Sequence, residues 1–592
     1  MDIKTRVLFL RNLMVRSGVD AYLIASYDPH MSEYSHVRFS AREFITGFTG
    51  SSGTVIVTEK EVLLFTDGRY FLQAESELEG TEFKLMKLGV KGYPDLFSYI
   101  NINLKGLRLG FYSEDISIRL YNDLVKNCRN TDIEALDEDL ISSIWHDRPT
   151  LERNKIFELT EAQRNNKRAD KIDNLKSKLE ERVVDFYIVS SLDEIAWILN
   201  LRGLDIKSSA LFYAFLFITR SKRHKNVLFV DVLNLGADLK EILEGEGFEI
   251  EDYGSFYSFL REIRHEGKFF VSVDSNVKVL KSIGESNAIL GQSVVSEFKA
   301  IKSDYEISKM KEAHIIDAVS LIKFLHSFKS LNRDELLRLD EVDVANMLLS
   351  FRLLNNEFFS SSFGSIVGFK ENGALPHYSP KKGARKLDSN GLLLIDSGGS
   401  YIELGTTDVT RTISIGEPSY EEKEDYTLVL KSFISLASLK FPFGTSGASL
   451  DGIARFPLLK RGLNFAHGTG HGVGFFLNVH ELPVSISPFS TYSFKGSEIA
   501  SIEPGLYRDS KHGIRIENLV FVKQSYLNEF GNFLEFEHLT LVPFEKELIL
   551  SEMLSEDELQ YINRYHENVY FSLKEHLNSE ELKFLEGLTS KI

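Results

Sequence analysis

Gly391-Leu392-Leu393-Leu394-Ile395-Asp396-Ser397-Gly398-Gly399 is an apolar run that ends in a carboxylate and then in two glycines. Read as a strand, it places Asp396 on the same face as Leu392 and Leu394, pointing inward. An inward aspartate is costly unless it is paired or binds a metal. The glycines permit a bend, and Thr406–Ile415, rich in threonine and isoleucine, predicts a returning strand. Asp396 and Asp408 then fall on neighbouring strands of one hairpin. Either one alone reads equally well as a turn or surface residue.

Three segments downstream extend the pattern. His467-Gly468-Thr469-Gly470-His471-Gly472-Val473-Gly474 carries too many glycines for a helix. Those glycines let backbone approach a site closely and leave room for both histidines. His480 follows nine residues after His471 and could reach the same place. Ile499-Ala500-Ser501-Ile502-Glu503-Pro504 alternates into a carboxylate that Pro504 holds extended. Ile514-Arg515-Ile516-Glu517 alternates as well and puts Arg515 beside Glu517, where an arginine can orient a ligating carboxylate. The bland alternative for that pair is a surface ion pair of little consequence. Together Asp396, Asp408, His471, Glu503 and Glu517 form a mostly oxygen donor set suited to a hard divalent ion such as manganese. If carboxylates bridge, five side chains suffice for two adjacent metals and a hydroxide between them. Four carboxylates and a hydroxide exceed two divalent cations by one negative charge, which Arg515 offsets.

The chain has 592 residues, too many for one core, so several domains are expected. Its hydrophobic and charged fractions are those of globular protein, and its net charge of −17 argues against nucleic acid or an anionic membrane as main partner. One cysteine, Cys128, precludes an intramolecular disulfide and points to a reducing, cytoplasmic setting. The N-terminal residues do not resemble a signal peptide, and the densest apolar run, Ala210–Thr219, is too short to span a bilayer.

The first half contains an internal repeat. Val19-Asp20-Ala21-Tyr22-Leu23-Ile24-Ala25-Ser26 is echoed by Val184-Asp185-Phe186-Tyr187-Ile188-Val189-Ser190-Ser191. Each copy follows a helical stretch (Thr5–Arg16, then Lys171–Glu181) and precedes an aromatic segment ending at Gly47 or Gly203. Two apolar runs come next in each: Thr54–Val57 and Val62–Thr66, then Phe212–Ile218 and Val227–Val230. This predicts two copies of one α/β domain, residues 1–150 and 151–302, joined near Trp145–Pro149. Ser303-Asp304-Tyr305-Glu306 fits a capping box that opens a third, catalytic domain at residues 303–592.

At these residues the chain resembles the creatinase/aminopeptidase P superfamily, whose catalytic domain has the pita-bread fold. The segments Thr66-Asp67-Gly68-Arg69-Tyr70-Phe71-Leu72-Gln73-Ala74, Trp145-His146-Asp147-Arg148-Pro149, Leu192-Asp193-Glu194-Ile195-Ala196-Trp197 and Leu539-Thr540-Leu541-Val542-Pro543 are similar to its three-domain cytosolic aminopeptidases. The resemblance implies an α/β (α+β) architecture: two creatinase-like domains, then the pita-bread domain. It implies that Asp396 and Asp408 hold one metal, and that Asp408, His471, Glu503 and Glu517 hold the other, with Asp408 and Glu517 bridging. It makes His377, His467 and His480 substrate-handling histidines; Glu503 is the candidate proton acceptor. Tyr507 and Arg515, with His467, fall beside a pocket for a proline ring. Implied further are manganese, a homodimer, and peptides with proline at position two as substrates. A prolidase restricted to dipeptides, a metal-free creatinase-like hydrolase and a non-catalytic peptide-binding protein are the alternatives. One departure stands out: the stretch from Asp396 to Asp408 is one residue longer than the family pattern, near Ile402-Glu403-Leu404. Insertion at a hairpin tip is harmless, whereas insertion in the ladder demands a bulge.

Overall fold

In the computed structural model, which describes residues 1–25 and 27–592, the chain divides into two compact units, Met1–Val295 and Ser296–Ile592. The repeat is visible as two sheets of one topology. The first runs Lys84–Lys87, Val62–Thr66, Thr54–Thr58, Ala21–Ile24, Arg108–Tyr112, Asp132–Leu136 in spatial order. The second runs Phe248–Asp252, Asn226–Val230, Ala214–Thr219, Phe186–Val189, Phe269–Ser272, Ala288–Gly291. Equivalent neighbours also pair in the same sense. Ala21–Ile24 is antiparallel to Thr54–Thr58 and parallel to Arg108–Tyr112, as Phe186–Val189 is to Ala214–Thr219 and Phe269–Ser272. The helices expected before each repeat are Ile3–Arg16 and Arg168–Glu181. Ser26, the last residue of the first repeat motif, lies outside the described residues. Phe212 and Tyr213 precede their strand, which begins at Ala214. Cys128 is buried and free.

The second unit opens with helix Asp304–Lys329. Its N-cap Ser303 and Glu306 form the reciprocal capping box expected from sequence. The strand Gly391–Ser397 is the middle of a three-stranded sheet, between Ile366–Phe369 and Val409–Ile415. All seven of its residues are buried, which is why its apolar run is continuous rather than alternating. A six-stranded sheet follows in the order Lys440–Pro442, Gly531–His538, Asn518–Asn528, Ile499–Ile502, Gly470–Gly472, Glu481–Ile486. Helices Tyr420–Ala437, Gly447–Leu459 and Glu556–Leu573 contribute Phe433, Leu450, Leu458, Ile562 and Val569 to a core shared with Leu393, Val520 and Val522. Each such side chain, fully removed from water, stabilises the unit by about 1.5–3 kcal/mol.

Gly391–Ser397 and Val409–Ile415 are not joined by a simple turn. The chain between them makes a separate excursion, Gly399–Tyr401 and Gly405–Thr406, which pairs with Phe358–Ser361 in another sheet. Tyr401 fixes its end by donating to Asp317 at 2.7 Å, and Asp317 is also held by Arg352. Beyond Tyr401, Glu403 turns the chain with a φ of +57°. Ile402-Glu403-Leu404, where the extra residue is expected, form this turn. The ladder carrying Asp396 runs without a break from Gly391 opposite Ile415 to Ser397 opposite Val409.

Candidate metal centre

Asp396 stands opposite Thr410 in that ladder. Asp408 immediately precedes the strand Val409–Ile415 rather than lying within it. Being two residues before Thr410, it returns to the face that Thr410 and Asp396 share. Both aspartates are buried. The expectation that one hairpin presents both therefore holds for the face, while the strand at Thr406 is interrupted at Thr407–Asp408.

His471 enters from the short strand Gly470–Gly472, and its neighbouring glycines are sterically required. A Cβ on Gly470 would overlap the Ser501 carbonyl, and one on Gly472 the Glu481 carbonyl. Close strand packing thus brings His471 to Glu503, which follows Ile499–Ile502. His471 Nδ1 meets the Gly472 carbonyl oxygen at 2.9 Å. A carbonyl only accepts, so Nδ1 carries the proton and Nε2 is left as the ligand nitrogen. Nε2 faces Glu503 Oε1 at 3.4 Å and Asp408 Oδ2 at 3.5 Å. Glu517 sits at the corner between strands His512–Arg515 and Asn518–Asn528, so the alternating run Ile514–Glu517 is a strand only as far as Arg515. One ligand atom from each of Asp408, His471 and Glu517 lies within 4.8 Å of the others.

The remaining oxygens show what the cluster lacks. Asp396 Oδ2 takes the Arg515 Nη2 hydrogen bond at 2.5 Å, and Glu517 Oε2 takes the Thr410 hydroxyl at 2.7 Å. Asp396 Oδ1, Asp408 Oδ1 and Glu517 Oε1 are buried without any hydrogen-bond donor. Three such orphaned carboxylate oxygens beside an imidazole lone pair fit divalent cations, which would satisfy all of them at once. Burial, with the charges of Asp396 and Glu503, pushes the Asp408 carboxyl up to about 6 against the pull of His471. Burial and the surrounding carboxylates push Glu517 well above its ordinary range. Burial opposes a charge on His471, but its Asp408 hydrogen bond and the nearby carboxylates raise it to about 9.

Beside the cluster lies a second chain of contacts. His467 Nδ1 donates to the Gly468 carbonyl at 2.7 Å, which leaves Nε2 to accept from the Tyr507 hydroxyl at 2.7 Å. Arg515 Nη1 donates to that same hydroxyl oxygen at 2.8 Å and Arg515 Nε to Thr410 at 3.2 Å. Although partly exposed, His467 is pulled down to about 3 by burial and by Arg515. Burial raises Tyr507 to about 12, against the pull of Arg515. Arg515 thus touches Asp396, not Glu517, and reaches the latter only through Thr410. His480 packs edge-on against His471 with ring centroids 4.3 Å apart. His377 lies near enough to His467 for its charge to lower the latter's affinity for protons.

Sequence reasoning did not single out Thr410, Ser501, Asp451 and Arg455. Ser501 accepts from the His471 amide at 2.9 Å and donates to Glu503 at 3.1 Å. Asp451 binds Arg455 and the Thr469 hydroxyl, each at 2.7 Å, and Arg455 donates to the His467 carbonyl at 2.6 Å. A carboxylate and an arginine four apart in Gly447–Leu459 were the available signal for this brace.

The chain matches the model of Metallopeptidase family M24 at residues 308–524 and that of its C-terminal region at 532–592. The Creatinase/Prolidase N-terminal domain matches at 6–142 and in a second form at 147–306. A probable Xaa-Pro aminopeptidase P of Neurospora crassa is 35% identical over 98% of this chain and 87% of its own. Xaa-Pro aminopeptidase 1 of Dictyostelium discoideum is 37% identical over 96% of this chain and 92% of its own. The crystal structure of X-prolyl aminopeptidase from Caenorhabditis elegans, described as a cytosolic enzyme with a di-nuclear active site, superposes with a TM-score of 0.94. It shares 33% identity over the full length of both chains.

Proposed function

The chain belongs to the Xaa-Pro aminopeptidase family of M24 metallopeptidases, and we infer that it hydrolyses the bond between an N-terminal residue and a penultimate proline. The observation that carries this reading is the set of donorless, buried oxygens on Asp396, Asp408 and Glu517 around His471 Nε2. Asp396 and Asp408 would hold one divalent ion; Asp408, His471, Glu503 and Glu517 the other, with Asp408 and Glu517 shared. Such ions supply Lewis acidity and a water that ionises near neutral pH. Manganese is the proposed metal, because the donor set is mostly oxygen.

Glu503 is the proposed proton acceptor, steadied by Ser501 and close to His471. His377 or His480 is proposed to stabilise the tetrahedral intermediate or to pass a proton to the proline nitrogen. His467, Tyr507 and Arg515 form one hydrogen-bonded wall and are the proposed seat of the proline ring. A proline amide offers no N–H and a fixed ring, so shape must select it. Both creatinase-like parts are present, which favours peptides longer than a dipeptide over the prolidase reading. The complete donor set disfavours a metal-free or non-catalytic protein.

The division at 1–150, 151–302 and 303–592 belongs to the same proposal, supported by the two matching sheets and by the capping box at Ser303. A cytosolic setting fits the absence of any described helix long and apolar enough to cross a membrane. A homodimer is proposed on the exposed apolar side chains Phe443, Leu527 and Phe530 around the turn between Asn518–Asn528 and Gly531–His538.

The test is hydrolysis of Arg-Pro-Pro by metal-stripped protein with and without manganese, alongside Asp408→Ala. Release of arginine that manganese restores and the variant lacks supports the reading. Hydrolysis of Arg-Pro but not Arg-Pro-Pro moves the function to a prolidase.

A further inference from the structure

Glu341 is the first residue of helix Glu341–Arg352 and is fully buried. Among the described residues its carboxylate meets no cation, and its hydrogen-bond partners are neutral donors. Oε1 accepts from the Phe369 amide at 2.8 Å and the Asn372 side chain at 3.0 Å. Oε2 accepts from the Tyr378 hydroxyl at 2.6 Å, the Arg385 amide at 3.1 Å and again Asn372 at 3.1 Å. A buried charge is retained only where such donors replace its water, and the helix N-terminus adds favourable field. Because every neighbour donates, an acceptor-only group fits here, and the glutamine amide, which must donate on one side, does not.

These donors converge from both ends of residues 370–385. Phe369 precedes that loop, Arg385 closes it, and Tyr378 lies within it. Tyr378 also closes a turn by donating its amide to Leu375 at 3.0 Å, and His377 is inside this turn. Asn372 donates to Tyr378 as well, at 3.1 Å, so the network is closed on itself. On its other side the loop abuts the strand carrying Arg515, where a Cβ on Gly513 would overlap the Gly373 carbonyl.

We propose that Glu341 is a positioning residue that acts through Tyr378 and Asn372 to hold His377 at the proposed catalytic centre. This rests on the reading of His377 given above. The Glu341 carboxylate is the hub, and the Tyr378 hydroxyl is the arm beside the histidine. Misplacing a group of this kind by about an ångström costs roughly 100-fold in rate.

A double-mutant cycle on manganese-loaded full-length protein tests it. Tyr378→Phe keeps ring and packing and removes the one hydroxyl. It is expected to lower kcat roughly 10- to 100-fold with KM and metal content nearly unchanged. In a His377→Ala background the same substitution is expected to add less than about a 2-fold loss. Glu341→Gln should behave as Tyr378→Phe does and also unfold at lower temperature; should it fail to fold, the tyrosine cycle alone decides. Equal losses in both backgrounds, or an unchanged kcat for Tyr378→Phe, overturn the proposal. Wild-type kcat in His377→Ala instead sinks the reading of His377 itself, and with it the reason for the brace.

Discussion

Nε2 of His471 faces Oδ2 of Asp408 across 3.5 Å, with the imidazole's only fixed proton committed to the Gly472 carbonyl on the far side. A lone pair aimed at an ionised oxygen at this range is repulsive, so something positive must lie between them. Without metal that is a proton, which is why burial fails to keep His471 neutral and the imidazole rises to about 9.

Metal and proton therefore compete for this gap. At neutral pH the metal-free centre carries a proton on His471 and holds Glu517 far above the ordinary carboxylate range. Loading must expel the His471 proton, since imidazole ligates only when deprotonated. Manganese affinity is expected to rise with pH up to about 9, by about one decade per pH unit for each proton displaced. Titration calorimetry at neutral pH in buffers of different ionisation enthalpy should register net proton release of about one or more. A binding constant that ignores pH would remove His471 from the ligand set.

Arg515→Lys preserves the charge but not the fork that reaches Asp396, Tyr507 and Thr410 together. A lysine serves one of these partners at a time. Tyr507 then loses its donor, and Asp396 loses the group that orients its free oxygen. Manganese at the Asp396 side is expected to bind roughly 10- to 100-fold more weakly, and kcat/KM to fall roughly 100-fold, as for the loss of two charged hydrogen bonds. Retention of tight stoichiometric metal by the lysine variant would show that Asp396 does not depend on this contact.

The parts of this site legible from sequence were those carried by local pattern. The apolar run Leu392–Ile395 announces a buried strand, and because both of its faces are buried, Asp396 is buried whichever face it takes. Ser303 and Glu306 announce their helix because both halves of a capping box lie within one turn. The glycines of the His471 segment announce close approach, and Gly470 and Gly472 do lie against Ser501 and Glu481. Less legible was anything set by register between distant strands. Alternation puts Arg515 beside Glu517, but the chain turns a corner at Ile516, and the Arg515 guanidinium reaches Asp396 from a separate two-stranded sheet. Thr410 and Ser501 escaped notice because a hydroxyl's value here depends on which carboxylate stands opposite, which no single segment encodes.

His480 touches His471 ring to ring and is not among the proposed ligands. His480→Ala should therefore leave both metals bound, since no proposed ligand is removed. Loss of a group that stabilises the tetrahedral intermediate typically costs roughly 100- to 1000-fold in kcat, and that is the expected effect on Arg-Pro-Pro. Metal analysis beside steady-state kinetics checks both halves. An unchanged kcat takes His480 out of the mechanism; a lost metal makes it a support for His471 instead.

Thr410 is the joint between the two halves of the centre. Its hydroxyl donates to Glu517 Oε2 at 2.7 Å while its oxygen accepts from Arg515 Nε at 3.2 Å, and the residue is fully buried. Thr410→Val keeps the shape and deletes both bonds. It leaves Glu517 with a second donorless oxygen, at a cost of about 1–3 kcal/mol. The metal-free variant should accordingly unfold at lower denaturant than the parent. Saturating manganese should narrow that gap, because the ion satisfies what the hydroxyl no longer does. Metal affinity itself is expected to drop roughly 10- to 100-fold. Thr410→Ser, which keeps the hydroxyl and loses only a methyl, should retain near-parental affinity. If serine and valine weaken the metal equally, packing rather than the hydrogen bond sets Glu517, and Thr410 is no joint at all.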